Sequence, residues 1–228
     1  MRLDQFIAQS TGISRKEAKK FIRQGRIMLA NRVTTNPAER TQGQAVHLDG
    51  DPLALPGHRY YMLHKPAGYV SATEDKEHPT ALSLLPGELR QDLHIAGRLD
   101  KDTTGLLLLT TDGQWSRRVT APRYAVPKTY LVHLAEAITS TAIQQLETGL
   151  LLRGETQPTA PAQVELVNQH CIRLTIIEGR YHQVKRMLAA VGNRVEALHR
   201  EKIGQILLPK GLLAGKYCEL SPSDVSFF

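Results

Sequence analysis

Residues 106 to 109 are four consecutive leucines, set between Gly105 and a Thr-Thr-Asp-Gly turn in the stretch GRLDKDTTGLLLLTTDG. A short unbroken apolar run bounded by turn residues is the pattern of a strand inside a core. That strand constrains everything beside it. Arg98, Asp100, Lys101 and Asp102 lie just before it, and Lys101 to Gly105 reads as a loop. Asp100 and Asp102 would point the same way only if the strand continued through them. On the residues alone, a carboxylate here is either a turn-former with a surface salt bridge or a functional group. A glycosidase needs two separated acids that bracket a sugar bond, which one cluster does not supply.

The rest of residues 59–228 alternates in the same manner. RYYMLHKP, LHIAGRLD, KTYLVHL, AQVELV and CIRLTIIEG are rich in aliphatic, β-branched or aromatic residues and read as strands. STAIQQLETGL and RYHQVKRMLAAVG read as helices. In the second, Val184, Met187, Leu188 and Val191 repeat at helical spacing before a stop at Gly192. Short strands joined mostly by turns, with few helices, predict an α+β fold on a mixed, mainly antiparallel sheet with flanking helices.

Several function classes drop out. Cys171 and Cys218 stand alone without zinc or disulfide spacing, as expected of a reducing cytoplasm. The nine histidines form no H-E-x-x-H, and neither a dinucleotide nor a P-loop fingerprint occurs. No cofactor and no metal are expected. No apolar run approaches the roughly 20 residues of a membrane span, and the start, with Asp4, lacks a signal peptide's apolar stretch. A soluble, cytoplasmic, monomeric protein with no membrane partner is expected.

Charge divides the chain. Residues 1–50 carry nine Lys/Arg against four Asp/Glu, whereas residues 51–228 carry twenty against eighteen. A small basic module on a near-neutral body attracts polyanions, RNA or DNA being the common case, although a solvated basic face gives the same asymmetry. In SRKEAKKFIRQG, Ser14 and Glu17 predict a capping box and Gly25 a left-handed end. Ala18, Phe21 and Ile22 share one face, leaving Arg15, Lys16, Lys19, Lys20 and Arg23 outside, with Arg26 just beyond. Leu3, Phe6 and Ile7 offer a second short apolar face. Two strand-like pieces follow, RIMLANRVTT and QAVHLDG, separated by Asn36-Pro37 and Gly43. This head resembles the S4-like RNA-binding domain, which implies phosphate contacts from Arg15, Lys16, Lys19, Lys20, Arg23 and Arg26. Residues 51–58, with two prolines and a glycine, read as a linker.

GRLDKDTTGLLLLTTDG, KTYLV, EGRYHQVKRM and LHREKIG occur in this order, and together they resemble the pseudouridine synthases that carry a G-R-L-D signature. The resemblance spans essentially the whole chain. It implies isomerisation of a specific uridine in 16S rRNA, expected at position 516, on free rRNA or a small-subunit assembly intermediate. It implies Asp100 as the catalytic carboxylate, Lys185 as its cationic partner with Arg186 as the alternative, and Tyr130 as the aromatic that stacks on the base and moves a proton. Arg98 would hold RNA with the base extruded. Without the resemblance, Tyr130 reads first as a strand aromatic packed in the core, and Lys185 and Arg186 equally as exposed helix residues. Gly97 and Gly105 would let the backbone approach RNA or turn sharply. His64 stands where the family often has asparagine, so His64 and Lys65 receive no catalytic role; Lys65 would contact phosphate or stay solvated. The leucine strand would hold the acid's loop rigid. Two other readings remain: a synthase acting on 23S rRNA, and a non-catalytic RNA-binding assembly protein.

Overall fold

The structure, a computed structural model, describes residues 1–55 and 57–228. Pro56, which falls in the expected linker, lies outside the described residues. The chain divides into two compact units, Met1–Gly57 and His58–Phe228.

The first unit packs helices α1 (Leu3–Thr11) and α2 (Arg15–Arg23) on a four-stranded antiparallel sheet of order β2-β1-β3-β4, with β1 Ile27–Leu29, β2 Arg32–Thr34, β3 Val46–Leu48 and β4 Asp51–Leu53. Leu3, Ile7, Ala18, Ile22 and Ile27 are fully buried between them. Ser14 and Glu17 form the capping box, and Gly25 turns at φ +69°. Three details differ from the sequence expectation. RIMLANRVTT is not one strand but a hairpin, turned at Ala30 and Asn31 with φ of 49° and 63°. Two successive left-handed residues are what a two-residue hairpin loop requires, and Ala-Asn is a weak signal for it. Phe21 is only partly buried, and the Arg26 guanidinium covers its ring from 4.1 Å. Residues 51–53, expected in the linker, instead form the edge strand β4, where Pro52 is tolerated because an edge leaves its missing N–H unneeded.

Asp4 is fully buried at the start of α1 and accepts hydrogen bonds from Arg2 at 3.1 Å and Arg15 at 2.9 Å, with Lys19 at 3.9 Å. The Arg2 hydrogen bond, then that of Arg15, hold its carboxyl down to about 2 against the opposing effect of burial. An acid depressed in the folded state stabilises it above the unfolded pKa and loses that contribution as pH falls from 3.8 through 2. Asp4→Asn should therefore cost this unit about 2 kcal/mol at pH 7 and progressively less below pH 4. Hydrogen exchange within α1 and α2 of the full chain checks this; equal protection in variant and wild type at pH 7 would refute it.

The second unit is built on a nine-stranded sheet. Its path runs β13-β5-β7-β11-β8-β10-β9, with β6 beside β7 and β12 beside β11. The strands are β5 Tyr60–Lys65, β6 His94–Ala96, β7 Thr104–Thr110, β8 Lys128–Leu134, β9 Gln163–Asn168, β10 Cys171–Ile176, β11 Val195–Ile203, β12 Ile206–Leu207 and β13 Tyr217–Glu219. Among the described strand pairs only β7 with β11 is parallel. The helices are α3 Gly87–Arg90, α4 Gly113–Thr120, α5 Ser140–Thr148, α6 Gln183–Ala190 and α7 Pro222–Val225.

The leucine run is β7, buried on both faces. Leu106 and Leu108 pack with Met62, Trp115, Val119 and Ile203, while Leu107 and Leu109 pack in a second layer with Tyr61, Leu63, Val132 and Met187. Each fully buried leucine contributes about 1.5–3 kcal/mol. A strand covered on both faces has no solvent side and so reads as a continuous apolar run rather than an alternation. Its N-terminal end receives the charged loop.

Candidate active site

The loop between β6 and β7 alternates its side chains. Arg98 is exposed, Leu99 is buried in the core, and Asp100 is partly exposed. Leu99 fastens the loop twice over, since Ser71 Oγ accepts its N–H at 3.0 Å and donates to its carbonyl at 2.7 Å.

Two buried cations hold the loop's backbone. Lys65, fully buried, donates to the carbonyls of Pro66 at 3.0 Å, Lys101 at 3.2 Å and Thr103 at 2.8 Å. This corrects the expectation of a phosphate-contacting or solvated lysine: its donors are spent on main chain. Burial pushes its ammonium down to about 8, with Asp102 and Asp100 pulling the other way. Arg200, 2% exposed, donates to Leu106 O at 2.8 Å, Gly97 O at 2.9 Å and Arg98 O at 3.4 Å. Its remaining reach goes to Tyr130 Oη at 3.4 Å. The loop is thus held at both ends.

The glycines serve this arrangement. Gly97 turns at φ +94° and offers its carbonyl to Arg200. Gly105, at φ +107°, sits opposite Arg200 across the parallel junction, where an added Cβ would lie 2.6 Å from the Arg200 nitrogen and closer still to its carbonyl oxygen. Its need for glycine comes from a neighbouring strand, not from RNA.

The loop opens into a cavity of about 680 Å³ lined by Arg98, Asp100, Tyr130, Lys185, Arg200 and also Lys128. That is the range of a small-ligand site. The Asp100 carboxylate, 28% exposed, has His182 Nε2 at 3.4 Å and Lys185 Nζ at 3.6 Å. Lys185 is nearer to Asp102, at 2.6 and 2.7 Å, and this bond holds the Asp102 carboxyl below its usual range. The lysine therefore spans both acids rather than serving Asp100 alone. Arg186 turns away to Glu155 at 2.9 Å and to backbone carbonyls. Tyr130 is 8% exposed and belongs to the core as well as the cavity wall.

Three neighbours escaped the sequence reading. Arg200 lies in β11 within LHREKIG, next but one to buried Leu198, and that inward phase is the signal that could have singled it out. Lys128, two residues before Tyr130, donates to Val126 O at 2.8 Å, and burial, with the Arg200 charge, brings it to about 8. His182 precedes α6 with a left-handed φ of 47°, a conformation costing a non-glycine residue roughly 1–2 kcal/mol. Strain of this kind gathers at working sites.

In the first unit, the cations named from sequence divide. Arg15 and Lys19 face Asp4, and Arg26 is paired with Asp49. Lys16, Lys20 and Arg23 are exposed and carry no ion pair among the described residues.

Comparison with known proteins gives both units a family. Residues 59–190 match the model described as RNA pseudouridylate synthase, and residues 1–55 match the S4 domain. A relative named ribosomal small subunit pseudouridine synthase A from Yersinia pestis is 48% identical, covering 99% of this chain and 97% of its own. One of the same name from Escherichia coli strain K12 is 48% identical, covering 99% of each. A solved structure titled as a crystal structure of pseudouridylate synthase matches with a TM-score of 0.74 and 42% identity, over 99% of this chain and 98% of that one.

Proposed function

The chain belongs to the RNA pseudouridylate synthase family, and from that premise we propose that it converts one uridine of small-subunit ribosomal RNA to pseudouridine, at position 516 of 16S rRNA. The reading is supported by full-length relatives named for that subunit. The observation that carries the chemistry is the Asp100 carboxylate, flanked by two nitrogen bases in a cavity that Tyr130 also lines.

The isomerisation breaks the bond from N1 of uracil to C1′ of the ribose, turns the base, and joins C5 to C1′. No atom is lost and no electron is exchanged with another reagent. The uridine must leave its stack to enter the cavity, which costs a few kcal/mol in a duplex and less in a loop. Exposed Arg98 is the group at the rim to hold the strand while this happens. Within the cavity Asp100 supplies the negative charge that C1′ or the detached base meets, with the Lys185 ammonium 3.6 Å from its carboxylate. Once C5 is bonded, its proton must leave and N1 must gain one, so the step conserves protons. Tyr130 Oη, which accepts a hydrogen bond from Arg200, is placed to relay it, giving up its phenol proton as it takes the one from C5.

The test is to incubate the full-length protein with protein-free small-subunit rRNA, with a partly assembled subunit and with 23S rRNA, and to map pseudouridine chemically. Conversion at a single small-subunit position is expected. No conversion in any substrate refutes an enzyme, and conversion only in 23S rRNA refutes the substrate. A separate expectation concerns the basic head. Removing residues 1–55 should weaken RNA affinity and make the slope of log K against log salt shallower by about 2–3, as for three phosphate contacts at roughly 0.7–0.9 each. An unchanged slope would remove Lys16, Lys20 and Arg23 from the interface.

A further inference from the structure

Tyr181 is 77% exposed, although it lines the same cavity as Asp100. A single exposed aromatic means little by itself. This one is held in place. Its ring is stacked on that of His182, with centroids 3.8 Å apart and planes 21° from parallel. Its carbonyl accepts a hydrogen bond from Arg186 at 3.2 Å. His182 in turn places Nε2 3.4 Å from Asp100 Oδ1. The stack therefore begins at the carboxylate and ends on an aromatic face turned to solvent.

RNA threading into the cavity brings unstacked bases to its rim, and aromatic side chains are the usual platform for such bases because every base has a π-face. We propose that the Tyr181–His182 stack is a binding subsite for a nucleobase adjacent to the extruded uridine. The proposal rests on the RNA-modifying reading above. Tyr130, by contrast, is walled into the core and lines the interior of the cavity that would take the extruded base. A base seated on Tyr181 extends the stack by one ring.

The test uses a small-subunit rRNA fragment containing the target uridine, unmodified or with an abasic nucleotide on its 5′ or 3′ side, against wild type, Tyr181→Ala and Tyr181→Phe. Steady-state turnover and equilibrium binding are both measured. Loss of one stacked base is expected to raise KM and Kd of Tyr181→Ala about 5- to 100-fold, with kcat falling much less, while Tyr181→Phe restores wild-type values. In wild type, one of the two abasic substrates should show the same weakening, and Tyr181→Ala should be indifferent to that lesion. Equal affinity of Tyr181→Ala and wild type for the unmodified RNA, or full multiplication of the variant and abasic effects, would overturn the subsite. The binding arm decides the matter even if wild type converts no uridine, which would be a failure of the preceding reading alone.

Discussion

Asp100→Asn is expected to lower pseudouridine formation by at least about 10⁴-fold, the scale of losing a group on which a reaction depends, while RNA affinity stays within a few-fold of wild type. The amide has the carboxylate's shape, so the loop, fastened through Leu99 and the main chain, has no reason to move. What disappears is negative charge at the reacting atoms. Lys185 keeps Asp102 as its partner at 2.6 Å, so the variant strands no buried cation. Single-turnover assays with enzyme in excess, read by chemical mapping of pseudouridine, separate this loss from weak binding. Residual turnover within about 100-fold of wild type would take Asp100 out of its proposed role.

Gly105→Ala should be the most damaging single-methyl change outside the carboxylate. Two penalties coincide there. The backbone at φ +107° lies outside the regions open to residues with a Cβ, and the new methyl would stand 2.6 Å from the Arg200 nitrogen. Main chain cannot swing aside as a side chain can, so β7 and β11 must part at their parallel junction. That displaces Arg200, whose guanidinium holds two loop carbonyls and that of Leu106 in β7, and reaches Tyr130. A loss of more than about 4 kcal/mol is expected, among the largest for point changes, with insoluble protein or a strongly lowered denaturation midpoint as the readout. A soluble variant with wild-type stability would contradict the packing described for this junction. Gly97→Ala is the contrast: its nearest would-be contacts are 3.8 Å and 4.0 Å away, so only the φ penalty applies.

The parts legible in sequence were those where one local rule dominates. The capping box at Ser14 and Glu17, the leucine strand and the periodic face of α6 each announce themselves within a dozen residues. β11 did not, although it lies at the middle of the sheet. Its sequence, VEALHREKI, places charges where a central strand should be apolar, because Arg200 is buried to serve carbonyls rather than to fill volume. Lys65 misled for the same reason. A lysine at the end of a strand reads as solvated, and only the fold brings the carbonyls of residues 66, 101 and 103 around its ammonium. Helix α4 begins at a clear Asp112 cap, which accepts from the Gln114 and Trp115 amides, yet its eight residues are too few to carry a long apolar period. The acid at 100 was singled out by likeness to a family. Its surroundings, which join residues 98–103 to residues 182–185, are a product of tertiary structure and had no local signature.

The Lys65 and Arg200 clasp grips peptide oxygens, and peptide oxygens are common to every amino acid. Its grip is therefore blind to what the loop displays. Side chains at 98 and 101 are free to diverge or be redesigned toward another RNA contour while the curve of the chain that carries them stays put. The scaffold keeps the stage fixed and leaves the cast open to change.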